Sequence, residues 1–208
     1  NLRKYFENKN IKAILLHIES PGGIPGPAQA LFKEIKSLKR EHPTPVVALT
    51  TSLCTFSAYY VASVADYIVA SPSALVGGIA TYTDFFKSQS FVNNWTMQDS
   101  QNKIVTLGTT EETNKIAENL STNIYKQFTK DIAIARKLSL KDTDKWANGT
   151  IFTGDQALSL KLVDELGSEF NAVKKMRELA LIEKEQKIKW VLPKSRSPLS
   201  RLLSCCKL

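Results

Sequence analysis

Histidine is scarce in this sequence: 208 residues hold only His17 and His42. A Ser-His-Asp triad needs a histidine within hydrogen-bonding reach of its nucleophile. His17 falls inside the apolar run Ile11 to Glu19, where it reads as a packed core residue, and His42 lies in the proline-flanked turn His42-Pro43-Thr44-Pro45. Neither is an attractive base. Cysteine is equally sparse, and Cys54, Cys205 and Cys206 do not make a disulfide framework. Cys54 reads as a small buried residue, and the adjacent Cys205 and Cys206 would bridge each other only with strain. No uninterrupted apolar run approaches the roughly 20 residues that span a bilayer. There is no signal-peptide pattern at Asn1. No metal-ligand cluster, phosphate-binding glycine loop or internal repeat is present, so neither a metal nor a cofactor is expected.

Acidic residues are missing from one end. The formal net charge is +8, and after Glu185 six cations follow with no carboxylate: Lys187, Lys189, Lys194, Arg196, Arg201 and Lys207. A basic end on a nearly balanced body argues against a nucleic-acid-binding fold. With Leu199, Leu202 and Leu203 the same end can touch an anionic membrane surface, or simply be solvated. Residues 193–208 read as a disordered basic tail, and acylation at Cys205 or Cys206 is left open.

The rest is an ordinary globular composition, 43% hydrophobic and 23% charged, long enough for a single domain over residues 1–192. The polar, helix-like start at Asn1 reads as that of a fragment, with any anchor upstream. Ile11 to Glu19 reads as a strand buried on both faces. Ser20-Pro21-Gly22-Gly23 breaks it, and paired glycines let backbone N–H groups approach a ligand closely. Pro27 to Arg40 reads as an amphipathic helix with Ala28, Leu31, Ile35 and Leu38 on one face. Val46 to Leu49 and Tyr67 to Ala70 are further strands, and Gly77-Gly78 sits in another strand or loop. Asp84 to Phe91 reads as a helix and Trp95 to Gln98 as a strand. Glu111 to Leu138 reads as a long helix with Ile116, Leu120, Ile124, Phe128 and Ile132 in four-residue steps. Lys141 to Ala147, Thr153 to Gly167 (with its closing turn) and Ser168 to Leu181 add helices, and Lys187 to Leu192 a last strand. This alternation predicts a layered α/β domain.

The chain is organised around Thr50 to Ala65, a strand feeding a tight turn into a helix. Such a junction is where α/β hydrolytic enzymes place a nucleophile, and the first helical N–H groups can stabilise an anion. Ser52, Cys54, Thr55 and Ser57 all sit in or beside that turn. With histidine excluded, the remaining way to activate a serine is a neutral lysine. Lys103, in the polar loop after a strand, is the candidate; a surface lysine is the plain alternative.

Four stretches in order, IKAILLHIESPGG, TPVVALTTSLCTFSAYYVASVADYIVASPSALVGGIATY, DSQNKIVT and IFTGDQALSLKLVDELG, resemble the signal peptide peptidase A family, also called protease IV. These are serine peptidases with a ClpP/crotonase-like fold and a Ser/Lys dyad. The resemblance implies that Gly22 and Gly23 lie beside an oxyanion site and that Lys103 is the general base. It also puts Phe56, Gly77 and Gly78 among the substrate-binding positions. One departure stands out. Counting back from the aromatic pair Tyr59-Tyr60 puts Phe56 at the family's nucleophile position, with Ser57 and Ala58 replacing two glycines. Ser57 is one residue late, a rotation of about 100° on a helix. Gly77-Gly78-Ile79-Ala80 likewise departs from the family's Gly-Ser-x-Gly. The resemblance therefore implies either a peptidase using Ser57 and Lys103 on extended apolar peptides such as cleaved signal peptides, or an inactive homologue. The latter would bind peptide, scaffold a homo-oligomer, or donate its lysine to a serine-bearing partner subunit. A thioester-handling crotonase-type enzyme is a further alternative. A membrane-associated domain outside the cytoplasm, at a bacterial inner membrane, is the implied location.

Overall fold

A computed structural model describes residues 2–80, 96–98, 104–106, 111–183, 185–192 and 203–207. Its centre is a parallel run of three strands, β1 (Ile11–His17), β2 (Val46–Thr50) and β4 (Tyr67–Ala70). Ile14 stands opposite Val46, and Val47 opposite Tyr67. These strands are apolar at nearly every position because both faces are covered, as a parallel sheet requires. Alternate residues go to opposite sides. Ile14, Leu16, Val46, Ala48, Ile68 and Ala70 join one core. Ala13, Leu15, Val47, Leu49 and Val69 join a second, under Ala172 and Met176.

The first core lies under α2 (Pro25–Glu41), α3 (Ser57–Ala62) and α4 (Glu111–Arg136); the second lies under α7 (Glu169–Leu179). The six-stranded sheet has the order β10-β11-β1-β2-β4-β9, with β9 (Glu165–Leu166), β10 (Lys189–Val191) and β11 (Leu203–Lys207). β3 (Leu53–Thr55), β5 (Leu75–Gly77) and β8 (Ile151–Thr153) form a second sheet, and β6 (Thr96–Gln98) pairs with β7 (Ile104–Thr106). The short helices α1 (Leu2–Glu7), α5 (Thr143–Trp146) and α6 (Gly154–Ser159), with a 3-10 turn at Leu140–Asp142, complete the described elements. α6 begins with a capping box between Thr153 and Gln156, the signal that the sequence carries there.

Several expectations change. Residues 203–207 are not disordered: they form β11, antiparallel to both β1 and β10, so that the chain end supplies a strand of the main sheet. In α2 the buried stripe is Ala28, Phe32, Ile35 and Leu38, and Leu31 is 39% exposed. In α4 the four-residue steps hold for Phe128 and Ile132, both buried, but not along the whole helix, because each step advances about 40° around it. The buried side runs through Ala117, Ser121, Phe128 and Ile132, in steps of four and seven, and Leu120 is left 44% exposed. The helix expected from Thr153 ends at Ser159, and Glu165–Leu166 pairs with β4 instead. The Asp84–Phe91 helix lies outside the described residues.

Candidate functional site

Ligands in open α/β sheets bind beyond the carboxyl ends of the strands. Here the loops leaving β1 and β2 meet at Glu19. Its carboxylate accepts hydrogen bonds from Thr51 N and Oγ1, from Ser52 N and Oγ, and from Leu53 N. Burial pushes the Glu19 pKa up, but the donors from Ser52, Thr51 and Leu53 outweigh it and hold the group at about 2. His17 Nε2 lies 3.2 Å from Glu19 Oε1, and the His17 side chain is 39% exposed. His17 is therefore not the packed core residue expected. It stands where β1 leaves the sheet, facing the Glu19 carboxylate.

The clasp continues toward α3. Ser20 N donates to Leu53 O, Thr55 N to Ser20 O, and Thr55 Oγ1 to Pro21 O. β3 then enters α3 through Phe56, whose φ of 51° and ψ of −125° lie where L-residues rarely go. Phe56 N donates to Gly77 O at 2.8 Å, and Phe56 O accepts from Tyr60 N at 3.1 Å. The Phe56 ring lies over Gly78, where a Cβ would come within 3.4 Å of two ring carbons. Phe56, Gly77 and Gly78 are thus brought together, with the bend held from both sides.

Ser57 is the first residue of α3 and is 8% exposed. It lines a different space, a groove of about 340 Å³ shared with Gly22 and Gly23 and walled by Ile18, Ile24, Leu31 and Val61. Gly22 allows the two loops to approach this closely. A Cβ there would lie 2.7 Å from Thr55 O, 2.9 Å from Phe56 Cβ and 3.0 Å from Ser57 N, and its φ is +96°. The Gly22 N–H donates to Ser20 Oγ at 3.1 Å, whereas Gly23 borders open space. None of the described residues lining the groove is titratable. Lys103 lies outside the described residues.

α3 is fixed by its aromatic pair. Tyr59 OH donates to Leu162 O at 2.7 Å. Tyr60 OH donates to Asp131, and its ring stacks between Phe32 and Phe128 with centroids 5.0 and 4.5 Å away. Cys54 is buried behind the turn, where burial raises its thiol pKa far above the ordinary range; it is no nucleophile. Glu19 is the residue that sequence reasoning missed. Its signal was a carboxylate closing an apolar strand, with two hydroxyl residues opening the loop after the next.

The family model for peptidase family S49 matches residues 38–183, more than two thirds of the chain. The chain belongs to peptidase family S49. Membership makes the layered sheet the family's ClpP-like α/β fold, and it favours the peptidase resemblance over the thioester-handling alternative. A protein of Methanocaldococcus jannaschii that carries a protease name is 29% identical over 200 residues, covering 91% of this chain and 63% of the relative. Protease 4 of Haemophilus influenzae is 27% identical, covering 99% of this chain and 35% of the relative. The chloroplastic serine protease SPPA of Arabidopsis thaliana is 27% identical, covering 90% and 29%. The chain thus spans less than two thirds of each of these relatives. The S49 match includes Phe56, Ser57, Gly77, Gly78 and Lys103.

Proposed function

We propose that this S49 domain is a peptidase that takes an extended apolar peptide into the groove beside Ser57 and cleaves it by acyl transfer. The groove carries the reading: a buried serine hydroxyl at the start of a helix, beside two glycines, opens onto apolar walls. Neutral Lys103 takes the Ser57 Oγ proton as Oγ attacks the scissile carbonyl. The Gly23 N–H and the N-terminal N–H groups of α3, which have no side-chain cap, hold the developing oxyanion. The lysine's proton then passes to the leaving amine, and water hydrolyses the acyl-enzyme. Apolar walls suit cleaved signal peptides. Signal peptides arise at membranes, which favours a location at a bacterial inner membrane, outside the cytoplasm, with the basic end against anionic headgroups. Among the described residues no helix is long and apolar enough to cross a membrane.

A specific observation favours a second reading. The strained residue at the strand-to-helix bend, the position a nucleophile elbow gives its serine, is Phe56. In that reading the domain binds peptide without cutting it, or donates Lys103 to a serine-bearing partner in a ring. Hydrolysis of an apolar fluorogenic peptide by the native protein, Ser57→Ala, Lys103→Ala and Phe56→Ser separates the two. Activity lost in both alanine variants supports the dyad. A silent native protein and an active Phe56→Ser variant overturn it in favour of a missing nucleophile.

A further inference from the structure

A second concavity, of about 860 Å³, lies at the C-terminal end of α2 and shares no side chain with the groove beside Ser57. Six cations line it, namely Lys36, Lys39, Arg40, Arg136, Lys137 and Lys161, against two carboxylates, Asp66 and Asp164, which leaves +4. Lys39 pairs with Asp66 at 2.7 Å and Arg136 with Asp164 at 2.8 Å. Lys36, Arg40, Lys137 and Lys161 have no carboxylate partner among the described residues.

Helix ends are the first thing to weigh against this charge. α2, α3, α4 and α6 all finish at the rim, and each helix C-terminus brings about half a negative charge at most. Together they offset about two of the four surplus charges. Some of the cations plainly serve that purpose: Lys39 Nζ donates to Val64 O, and Arg136 to Lys161 O. A surplus of about two positive charges remains around a cleft of ligand size.

Two of these lysines stand where the backbone favours glycine. Lys137 and Lys161 have φ of 55° and 60° just past the ends of α4 and α6. In each case the next N–H closes the helix, Leu138 N to Ala133 O and Leu162 N to Ala157 O. Leu181 takes the same conformation after α7, so the fold accepts an L side chain there. What distinguishes the cleft is that both such positions on its rim carry a cation. Flexible ammonium groups on separate elements suit a compact ligand with several charges rather than a single planar carboxylate.

We propose that this cleft binds a multiply charged phosphate, either free or as a lipid headgroup. The inference is independent of whether Ser57 is a nucleophile, because no peptide hydrolysis enters its test. Inorganic tripolyphosphate binding is measured by calorimetry at low ionic strength. In parallel the protein is sedimented with phosphatidylglycerol vesicles and with phosphatidylcholine vesicles. The variants are Lys36→Gln/Lys137→Gln/Lys161→Gln and, as a control of equal charge change, Lys4→Gln/Lys9→Gln/Lys12→Gln on exposed positions elsewhere. A tenfold or greater loss of tripolyphosphate affinity in the cleft variant only supports a free phosphate. Vesicle binding lost in the cleft variant only supports a headgroup. Equal losses in the two triple variants, or no binding of either probe by the native protein, overturn the proposal. Lys137→Gly/Lys161→Gly guards against misfolding. It relieves the backbone at both positions, so a protein as stable as the native one that still loses the ligand assigns the lysines to binding rather than to the helix ends.

Discussion

Glu19→Gln tests whether the turn that leads into α3 is held by one carboxylate. In the native protein Glu19 is held at about 2 against 4.5 for a free carboxyl, a difference of about 3 kcal/mol at face value. The side chain is 31% exposed, so solvent screening reduces the stabilisation to about 1–2 kcal/mol. In a domain of this length that lowers Tm by roughly 3–6 °C. The sign follows from proton binding. Between about pH 4.5 and pH 2 the unfolded chain holds the Glu19 proton and the native protein does not. The stabilisation is therefore complete above that window and is lost as the pH falls through it. Glu19→Gln has no such group. Urea midpoints at pH 6 and pH 3 should show the native protein well ahead of the variant at pH 6, with more than half of the gap gone at pH 3. A gap of the same size at both values, or no gap at pH 6, would refute the reasoning.

Gly22→Ala places a methyl 2.7 Å from Thr55 O at a φ of +96°; we expect a loss of about 1–3 kcal/mol in chemical denaturation and weaker retention of apolar peptides in fluorescence titrations. Arg136→Ala removes a guanidinium, 6% exposed, from Asp164 and Lys161 O; the Asp164 carboxylate keeps its bond from Ile68 N and loses its counter-charge, so a loss of about 2–3 kcal/mol is expected, read as a lowered melting temperature. Tyr60→Phe keeps the stacking on Phe32 and Phe128 and loses the phenol's hydrogen bonding to Asp131 and Gln29. About 1 kcal/mol is expected for it, and a change above about 2 kcal/mol would mean that the phenol also organises α3.

What could be read from the sequence was whatever depends on local pattern. Ile11 to His17 and Val46 to Thr50 are apolar at nearly every position, which only a sheet covered on both faces explains, and both cores are there. Thr153 with Gln156 announced the start of α6. What could not be read depends on contacts distant in the chain. β11 contributes to the sheet through backbone pairing with β1, nearly 200 residues earlier, and its place at the end of a basic, proline- and serine-containing stretch gives no sign of this. Glu19 looked like the polar end of a strand; its importance comes from Thr51, Ser52 and Leu53, more than 30 residues later. Leu31 looked like a core position by helical spacing and instead lines the groove, because α2 turns Phe32 to the core. Counting back from Tyr59-Tyr60 puts Phe56 at the nucleophile position of the resembled family, with Ser57 one residue later, and the backbone in the structure is strained at Phe56.

That strain is worth isolating, because it separates the backbone of the site from its side-chain chemistry. Gly77 O, Tyr60 N and the missing Cβ of Gly22 over-determine the bend at Phe56, whatever side chain stands there. Phe56→Ser discards the half-buried ring, a loss of about 1–2 kcal/mol, and keeps the unfavourable φ and ψ. Phe56→Gly discards the same ring and relieves the backbone, although the unfolded chain gains flexibility. The difference between the two variants therefore measures the strain, and we expect Phe56→Gly to be the more stable by about 1 kcal/mol or slightly more. Equal stabilities would mean that the bend holds no strain and that this turn does not keep the geometry of a nucleophile elbow. If the difference is present and Phe56→Ser gains hydrolytic activity, the backbone of the site has outlasted its nucleophile. If the difference is present and only Ser57→Ala abolishes native activity, the same bend serves to set the helix start one residue further on.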